Sequence, residues 1–308
     1  MHSLSTYSIR CCNPALPVKE RYYALDKIGQ NDLFKILEAF IKSNIGSLSK
    51  NKELKQTYSF SDIEFDNKNR KIYGFFNVGN FGIANEIIDS DTNKTVFTKT
   101  VNCSDVIKHY FQFHLPVGYD EGFCIFYIYR GNGIKTLFYE AFEPMFKSAT
   151  TFTLQMKPLG YDKAFQEWAK ANVKELKVNK FSSVPDPADI PRYKGHIEGE
   201  AILKPDGKLT SFGIFSNFNK KGTDESALVE YLSGFGSQVK AVVKVGNKKR
   251  TFSVGVNESN PVCQIEFDNN DVAINDGMPV FDSIHKFAND IIKEYVDNLY
   301  KSPKKASP

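Results

Sequence analysis

Residues 123 to 146 constrain this chain more than any other stretch. Phe-Cys-Ile-Phe-Tyr-Ile-Tyr opens it, Arg130-Gly131-Asn132-Gly133 follows, and Ile134 to Phe146 closes it. A continuous apolar and aromatic run bounded by a glycine turn is the pattern of a strand buried on both faces. Beyond Gly133 the period changes, and Ile134, Leu137, Phe138, Ala141, Phe142 and Met145 fall on one helical stripe. The stretch therefore predicts strand, tight turn and helix at the centre of the first half of the chain.

Its surroundings read as sheet. Tyr58, Phe60 and Asp62 alternate with Ser59, Ser61 and Ile63, and Asp66-Asn67-Lys68-Asn69 supplies a turn into Lys71 to Val78, which predicts a hairpin. Further strands are expected at 6–12, 95–101, 109–115, 151–156 and 174–181. A helix capped by Asn31 is expected to run to about Asn44, and a short one over 162–171 holds the one tryptophan, Trp168. The 26 Phe and 15 Tyr suit a pleated surface.

Three prolines, Pro185, Pro187 and Pro191, then fall within seven residues, where neither helix nor paired strand continues easily. This divides the chain into an N-terminal α+β domain (1–184), a proline-rich linker (185–192), a C-terminal α+β domain (193–300) and a basic tail (301–308). In the second half, hairpins are expected at 197–203 with 209–215 and at 239–245 with 251–256. A helix over 225–233, a strand at 262–267 and a long helix over 281–300 complete it. The fold class expected is α+β: two domains, each a mainly antiparallel, aromatic-rich sheet with helices packed on one face.

The 308 residues carry a net charge of +4. After Tyr193 there are 15 basic and 15 acidic residues, and before it 25 and 21, so neither half is a polycation. Contact with nucleic acid would rest on a local patch. One is present: Lys240, Lys244, Lys248, Lys249 and Arg250 fall on the second hairpin and its turn. A basic two-stranded ribbon suits a phosphate backbone; a lysine-rich edge that blocks strand pairing reads the same way.

Two other clusters carry chemistry. His196, Glu198 and Glu200 alternate, so on a strand they share one face, where they can hold Mg²⁺, Mn²⁺ or Zn²⁺ or act as acid and base in a metal-dependent nuclease. The solvated side of an ordinary strand has the same pattern. Glu230, Glu266 and Asp268 are candidate additional ligands. The turn at Gly131 and Gly133 lacks the Gly-x-x-x-x-Gly-Lys-Ser/Thr spacing of a nucleotide-binding loop. What stays open there is a looser anion site using Arg130 and Lys135, beside a plain glycine turn with positive φ. His109 and His114 fall on opposite sides of one strand, and His285 is expected on the polar side of the last helix.

Five cysteines, an odd count with no Cys-x-x-Cys spacing, point to a reducing compartment. With no apolar leader and no run of 18 apolar residues, a cytoplasmic location without membrane contact is expected.

Leu115-Pro116-Val117-Gly118-Tyr119, then Gly131 to Phe138, then Val184-Pro185-Asp186-Pro187-Ala188-Asp189 resemble segments of poorly characterised bacterial proteins associated with prophages and antiviral defence loci. The resemblance spans mostly residues 70 to 190. It implies a setting, conflict between bacterium and phage, and implies no catalytic residues. The expectation from residues and resemblance together is a nucleic-acid-binding component of such a system. Its alternatives are a metal-dependent nuclease and a structural partner of another protein from the same locus, with homo-oligomerisation open in each case.

Overall fold

A computed structural model describes residues 2–130, 132–159, 166–179, 200–207, 210–234, 238–245, 248–255 and 264–299. In chain order the strands are β1 (His2–Cys12), β2 (Tyr22–Tyr23), β3 (Ser49–Asn51), β4 (Gln56–Asp66), β5 (Lys71–Asn80), β6 (Asn85–Ile88), β7 (Thr95–Lys99), β8 (Asp105–His114), β9 (Gly122–Tyr129), β10 (Thr153–Pro158), β11 (Val173–Asn179), β12 (Glu200–Leu203), β13 (Gln238–Val245), β14 (Lys248–Val254), β15 (Gln264–Phe267), β16 (Ile274–Asn275) and β17 (Met278–Pro279). The helices are α1 (Leu33–Ser43), α2 (Lys135–Thr150), α3 (Asp224–Ser233) and α4 (Phe281–Leu299), with a single turn at Gln166–Ala169 and a 3₁₀ turn at Phe215–Asn219.

The strand, turn and helix at 122–150 form as the sequence predicts, and β9 lies inside a nine-stranded antiparallel sheet whose path runs β10-β1-β9-β8-β5-β4-β3, with β2 and β15 also paired to β1. Alternate residues of β9 enter two separate cores. Cys124 and Phe126 face α1 and α2, while Phe123, Ile125 and Tyr127 face α4 and the smaller sheet. Both faces of the large sheet are therefore covered, which corrects the expectation of helices on one face only. A strand as apolar as β9 has no side to give to water, so a second layer is required.

The α1–α2 layer is locked by aromatic packing and one polar anchor. The helix starts one residue later than expected: Asp32, rather than Asn31, is the cap, and it accepts from the Phe34 amide at 2.8 Å. Asp32 also takes both guanidinium nitrogens of Arg70 at 2.6 and 2.7 Å, while Arg70 Nε donates to the Leu115 carbonyl. Burial alone would raise the Asp32 pKa, but the Arg70 and Phe34 hydrogen bonds outweigh it and hold the carboxyl below its ordinary value. Asp32→Ala removes the cap and leaves Arg70 without its carboxylate. The expected cost is about 2 kcal/mol, read as a lower urea midpoint at unchanged slope.

The hairpin β4–β5 forms about its predicted turn and carries a bulge between Ser61 and Glu64. Gly74 lies against that bulge with φ +157°, and a Cβ there would sit 2.5 Å from Ile63 Cδ1. Only glycine fits this close approach.

The second sheet has the order β12-β11-β13-β14. Its pairing crosses the expected domain division: β11 precedes the proline-rich segment yet lies between β12 and β13, and β15 hydrogen-bonds to β1. The whole of the expected linker, 185–192, lies outside the described residues. The hairpin expected from 197–203 and 209–215 is not formed by the described residues. Instead β12 pairs with β11, and the chain after Ile214 turns into the 3₁₀ segment. Among the described residues no helix is long and apolar enough to cross a membrane.

Candidate functional site

The basic hairpin divides into an inner half and an outer half. Lys240 is 1% exposed and forms an ion pair with Glu266 on β15. Arg250 is 5% exposed; Nη1 lies 2.9 Å from Glu294 Oε2 on α4, and the guanidinium sits 4.9 Å from the centroid of the Trp168 ring. Both residues were expected to present charge to a ligand, and the structure corrects this. β13 is an inner strand flanked by β11 and β14, and on it the Lys240 side chain is buried against β15. A buried cation is tolerated only with an anion beside it. Glu266, a candidate metal ligand by sequence, is the anion that serves Lys240.

The outer half remains. Lys244 is exposed near the end of β13. In the β13–β14 register it stands opposite Lys249, and Lys248 stands opposite Val245 beside the turn. Like charges at opposed positions of an antiparallel pair are unfavourable without a counter-anion. β14 is the last strand of its sheet.

Arg130 and Lys135 lie on a different segment, at the end of β9 and the start of α2. Arg130 is exposed, lies 5.3 Å from the Tyr129 ring, and takes the left-handed conformation itself, with φ +49°. Positive φ was expected of a glycine here, and Gly133 does not adopt it. Asn132 closes the turn through backbone bonds to Tyr129. Lys135 lies 5.2 Å from the Tyr139 ring one helical turn on. α2 has no side-chain cap and no acidic residue in its first turn.

His196 and Glu198 lie outside the described residues, and Glu200 is the first residue of β12. Glu230 and Asp268 are exposed on α3 and after β15. Among the described residues no group of three or more His, Cys, Asp or Glu side chains is arranged to hold a metal ion.

The densest polar cluster is one the sequence did not announce. His285 faces the large sheet, not solvent. Four side chains close a ring: Tyr110 Oη meets His285 Nδ1 at 2.9 Å and donates to Gln112 Oε1 at 2.8 Å, Gln112 Nε2 donates to Asn289 Oδ1 at 2.9 Å, and Asn289 Nδ2 meets His285 Nε2 at 2.8 Å. Lys71 Nζ also donates to Asn289 Oδ1. One assignment satisfies every bond. His285 carries its proton on Nδ1, gives it to Tyr110, and accepts from Asn289 at Nε2. The Tyr73 ring stacks on His285 at 4.0 Å. The ring of bonds ties α4 to β8 and leaves His285 no open nitrogen for substrate, so its role is structural.

Of the other strand histidines, His109 is buried with Nδ1 3.0 Å from the Tyr127 carbonyl oxygen, and His114 sits at the far end of β8. They form no pair. Comparison with known proteins found no matching family model, no matching curated protein and no matching solved structure.

Proposed function

We propose that this chain binds a phosphate-bearing polyanion, nucleic acid foremost, at the turn end of the β13–β14 hairpin. The observation that carries this reading is the register: Lys244 opposes Lys249, with Lys248 adjacent, at the Val245–Lys248 end of the hairpin. A run of phosphates supplies the counter-charge that opposed lysines call for. Lys240 and Arg250 take a different part in this proposal. Their ion pairs to Glu266 and Glu294 fix the hairpin to β15 and α4, at Lys240 far from the turn and at Arg250 directly beside Lys249. Arg130 and Lys135 lie on other elements, just after β9 and at the start of α2, and are not assigned to this surface. The setting proposed is a bacterial antiviral defence or toxin-type system in the cytoplasm. It rests on the sequence resemblance and agrees with four free thiols at Cys11, Cys12, Cys103 and Cys124.

The test is a native gel of labelled RNA and DNA strands over a salt series, with Mg²⁺ or Mn²⁺ present and a denaturing gel in parallel. Intact but retarded strands are expected, with affinity falling as salt rises. The triple variant K244E/K248E/K249E should weaken binding by about tenfold or more and flatten the salt slope by about one for each phosphate no longer neutralised. No shift, or a shift the triple variant leaves unchanged, overturns the proposal. Cleaved strands whose production Glu198→Ala abolishes would overturn it in favour of a nuclease on the His196, Glu198, Glu200 face.

A further inference from the structure

The turn at 130–133 takes no part in the polyanion surface, and the fold leaves one of its residues unexplained. Gly133 does not adopt positive φ, and a Cβ built on it would meet only side-chain atoms of Ile128, at 3.7 and 3.8 Å. That is ordinary van der Waals contact. Gly74 is required by a close approach, whereas at 133 neither backbone conformation nor space demands glycine. What glycine supplies here is chemical. The peptide nitrogen that follows an asparagine is uncrowded only when the next residue lacks a Cβ.

Asn132-Gly133 is the single Asn-Gly pair in the sequence, and both residues are exposed. The Asn132 main chain is fixed: its amide donates to the Tyr129 carbonyl at 2.9 Å, and its carbonyl accepts from the Tyr129 amide at 3.4 Å. Its side chain is not. Among the described residues, neither the Asn132 side-chain amide nor the Gly133 N–H has a hydrogen-bond partner. The electrophile, Asn132 Cγ, and the nucleophile, Gly133 N, are thus neighbours in the chain, and no bond holds either away from the other. We infer that Asn132 is a site of spontaneous deamidation, at which the turn before α2 acquires a negative charge.

The reaction needs only water. Gly133 N loses its proton to base and bonds to Asn132 Cγ. The Cγ–Nδ2 bond breaks, and Nδ2 leaves as ammonia after taking up a proton, which closes a succinimide ring. Water then opens the ring at either carbonyl. At Cγ it restores the ordinary main chain with an aspartate side chain; at the main-chain carbonyl carbon of residue 132 it gives isoaspartate, with an extra methylene in the chain. Either product carries a carboxylate, ionised at neutral pH. The charge falls where α2 lacks one. Ile134 gives the first turn no side-chain hydrogen bond, and no acidic residue stands in that turn. Residue 132 lies two positions before Ile134, with Arg130 on one side of it in the chain and Lys135 on the other. An aspartate there sets a negative charge near the positive end of a 16-residue helix and keeps the main-chain pairing with Tyr129. Isoaspartate lengthens the segment between that pairing and α2, and so loosens the same turn.

Native full-length protein held in mildly alkaline buffer, then digested and mapped by mass spectrometry, is the first experiment. The peptide carrying residue 132 should show the amide-to-acid mass change ahead of every other asparagine peptide. Gly133→Ala, which the Ile128 contact accommodates, should slow the conversion at least about tenfold. A wild-type sample in denaturing urea, run in parallel, gives the rate without the fold. Native protein whose Asn132 persists while the urea sample converts overturns the inference, and so does a Gly133→Ala variant that converts as fast as the wild type. Asn132→Asp tests where the charge lands. Its urea midpoint at low salt should exceed that of the wild type, and the gain should shrink as salt is added. A midpoint at or below the wild type's overturns the link to α2.

Discussion

Phe138→Ala is expected to lower the free energy of unfolding by about 3–5 kcal/mol. Phe138 lies on α2 with no exposed surface. Its ring meets Phe113 at 5.1 Å, Phe126 at 5.5 Å, Phe76 at 5.8 Å, Phe142 at 5.8 Å and Phe40 at 6.0 Å between centroids. These partners come from β8, β9, β5, α2 and α1, so one side chain joins the helical layer to three adjacent strands. The neighbours are themselves rings fixed by further rings, and a cavity at this point cannot collapse cheaply. Since a domain is stable by only about 5–15 kcal/mol, the variant should sit close to the threshold of folding. Met145→Ala, on the same helix but 37% exposed, is the control and should cost far less. Urea titrations of the two variants followed by circular dichroism make the comparison. Equal small shifts would show that the aromatic cluster does not govern stability.

The second large effect is loss of stability as the pH falls from about 6.5 towards 4. Four histidines of the large sheet and its α4 contact have their pKa lowered, His2 on β1 by burial first and then by the N-terminal and Arg130 charges. Burial, and after it the Lys71 charge, push His114 down to about 4 from 6.5. Burial also lowers His109, against a partial rise from its hydrogen bond to Tyr127. His285 is lowered by burial first and Lys71 second, while Asp282 works in the other direction. A depressed folded-state pKa means that the unfolded chain takes up protons first. The stabilising contribution is therefore complete above the unfolded value and drains away as pH drops through 6.5 towards the folded value. At about 1.4 kcal/mol for each pH unit, His114 alone accounts for at most about 3.5 kcal/mol. His285 adds a structural break. Once Nε2 is protonated, two donors face each other across the Asn289 contact, and Asn289 cannot reverse its amide without giving up both Gln112 and Lys71. Urea midpoints measured across this pH range should fall steeply, and His114→Gln should flatten the lower part of the curve. A midpoint constant down to pH 4 would contradict the assignment of these groups as neutral.

Much of the fold is legible from local pattern. The double-sided burial of β9, the stripe of α2, the β4–β5 turn and the long α4 are written in periods of two and 3.6 and in turn residues, all within a few positions. What local pattern does not carry is the choice of distant partners. That β11 sits between β12 and β13, and that β15 joins β1, depends on which apolar faces meet after collapse. The basic hairpin shows the same division. Its existence and turn follow from sequence, but Lys240 lies in Val239-Lys240-Ala241-Val242-Val243, where Val242 shares its face. An apolar residue on the lysine's own side was the available sign of an inner strand. His285 likewise lies next to Ile284 and one turn from Asn289, at the margin of the apolar stripe. Its partners Tyr110 and Gln112 are distant in the chain, and nothing near position 285 names them.

The pairing of β1 with β15 has a consequence for how the chain is made. Residues 2–5 present one hydrogen-bonding edge to β9 and the other to residues 264–267. On the ribosome the first contact forms once β9 has emerged, but the second must wait for the last quarter of the polypeptide. At translation rates of roughly 5–20 residues per second, the interval between β10 and β15 lasts on the order of ten seconds. Throughout it, Leu4 and its neighbours keep an open strand edge, a surface on which a nascent chain solicits a chaperone or a wrong strand. The large sheet is thus begun early and sealed late, and yield on synthesis should depend on what shields β1 in the meantime.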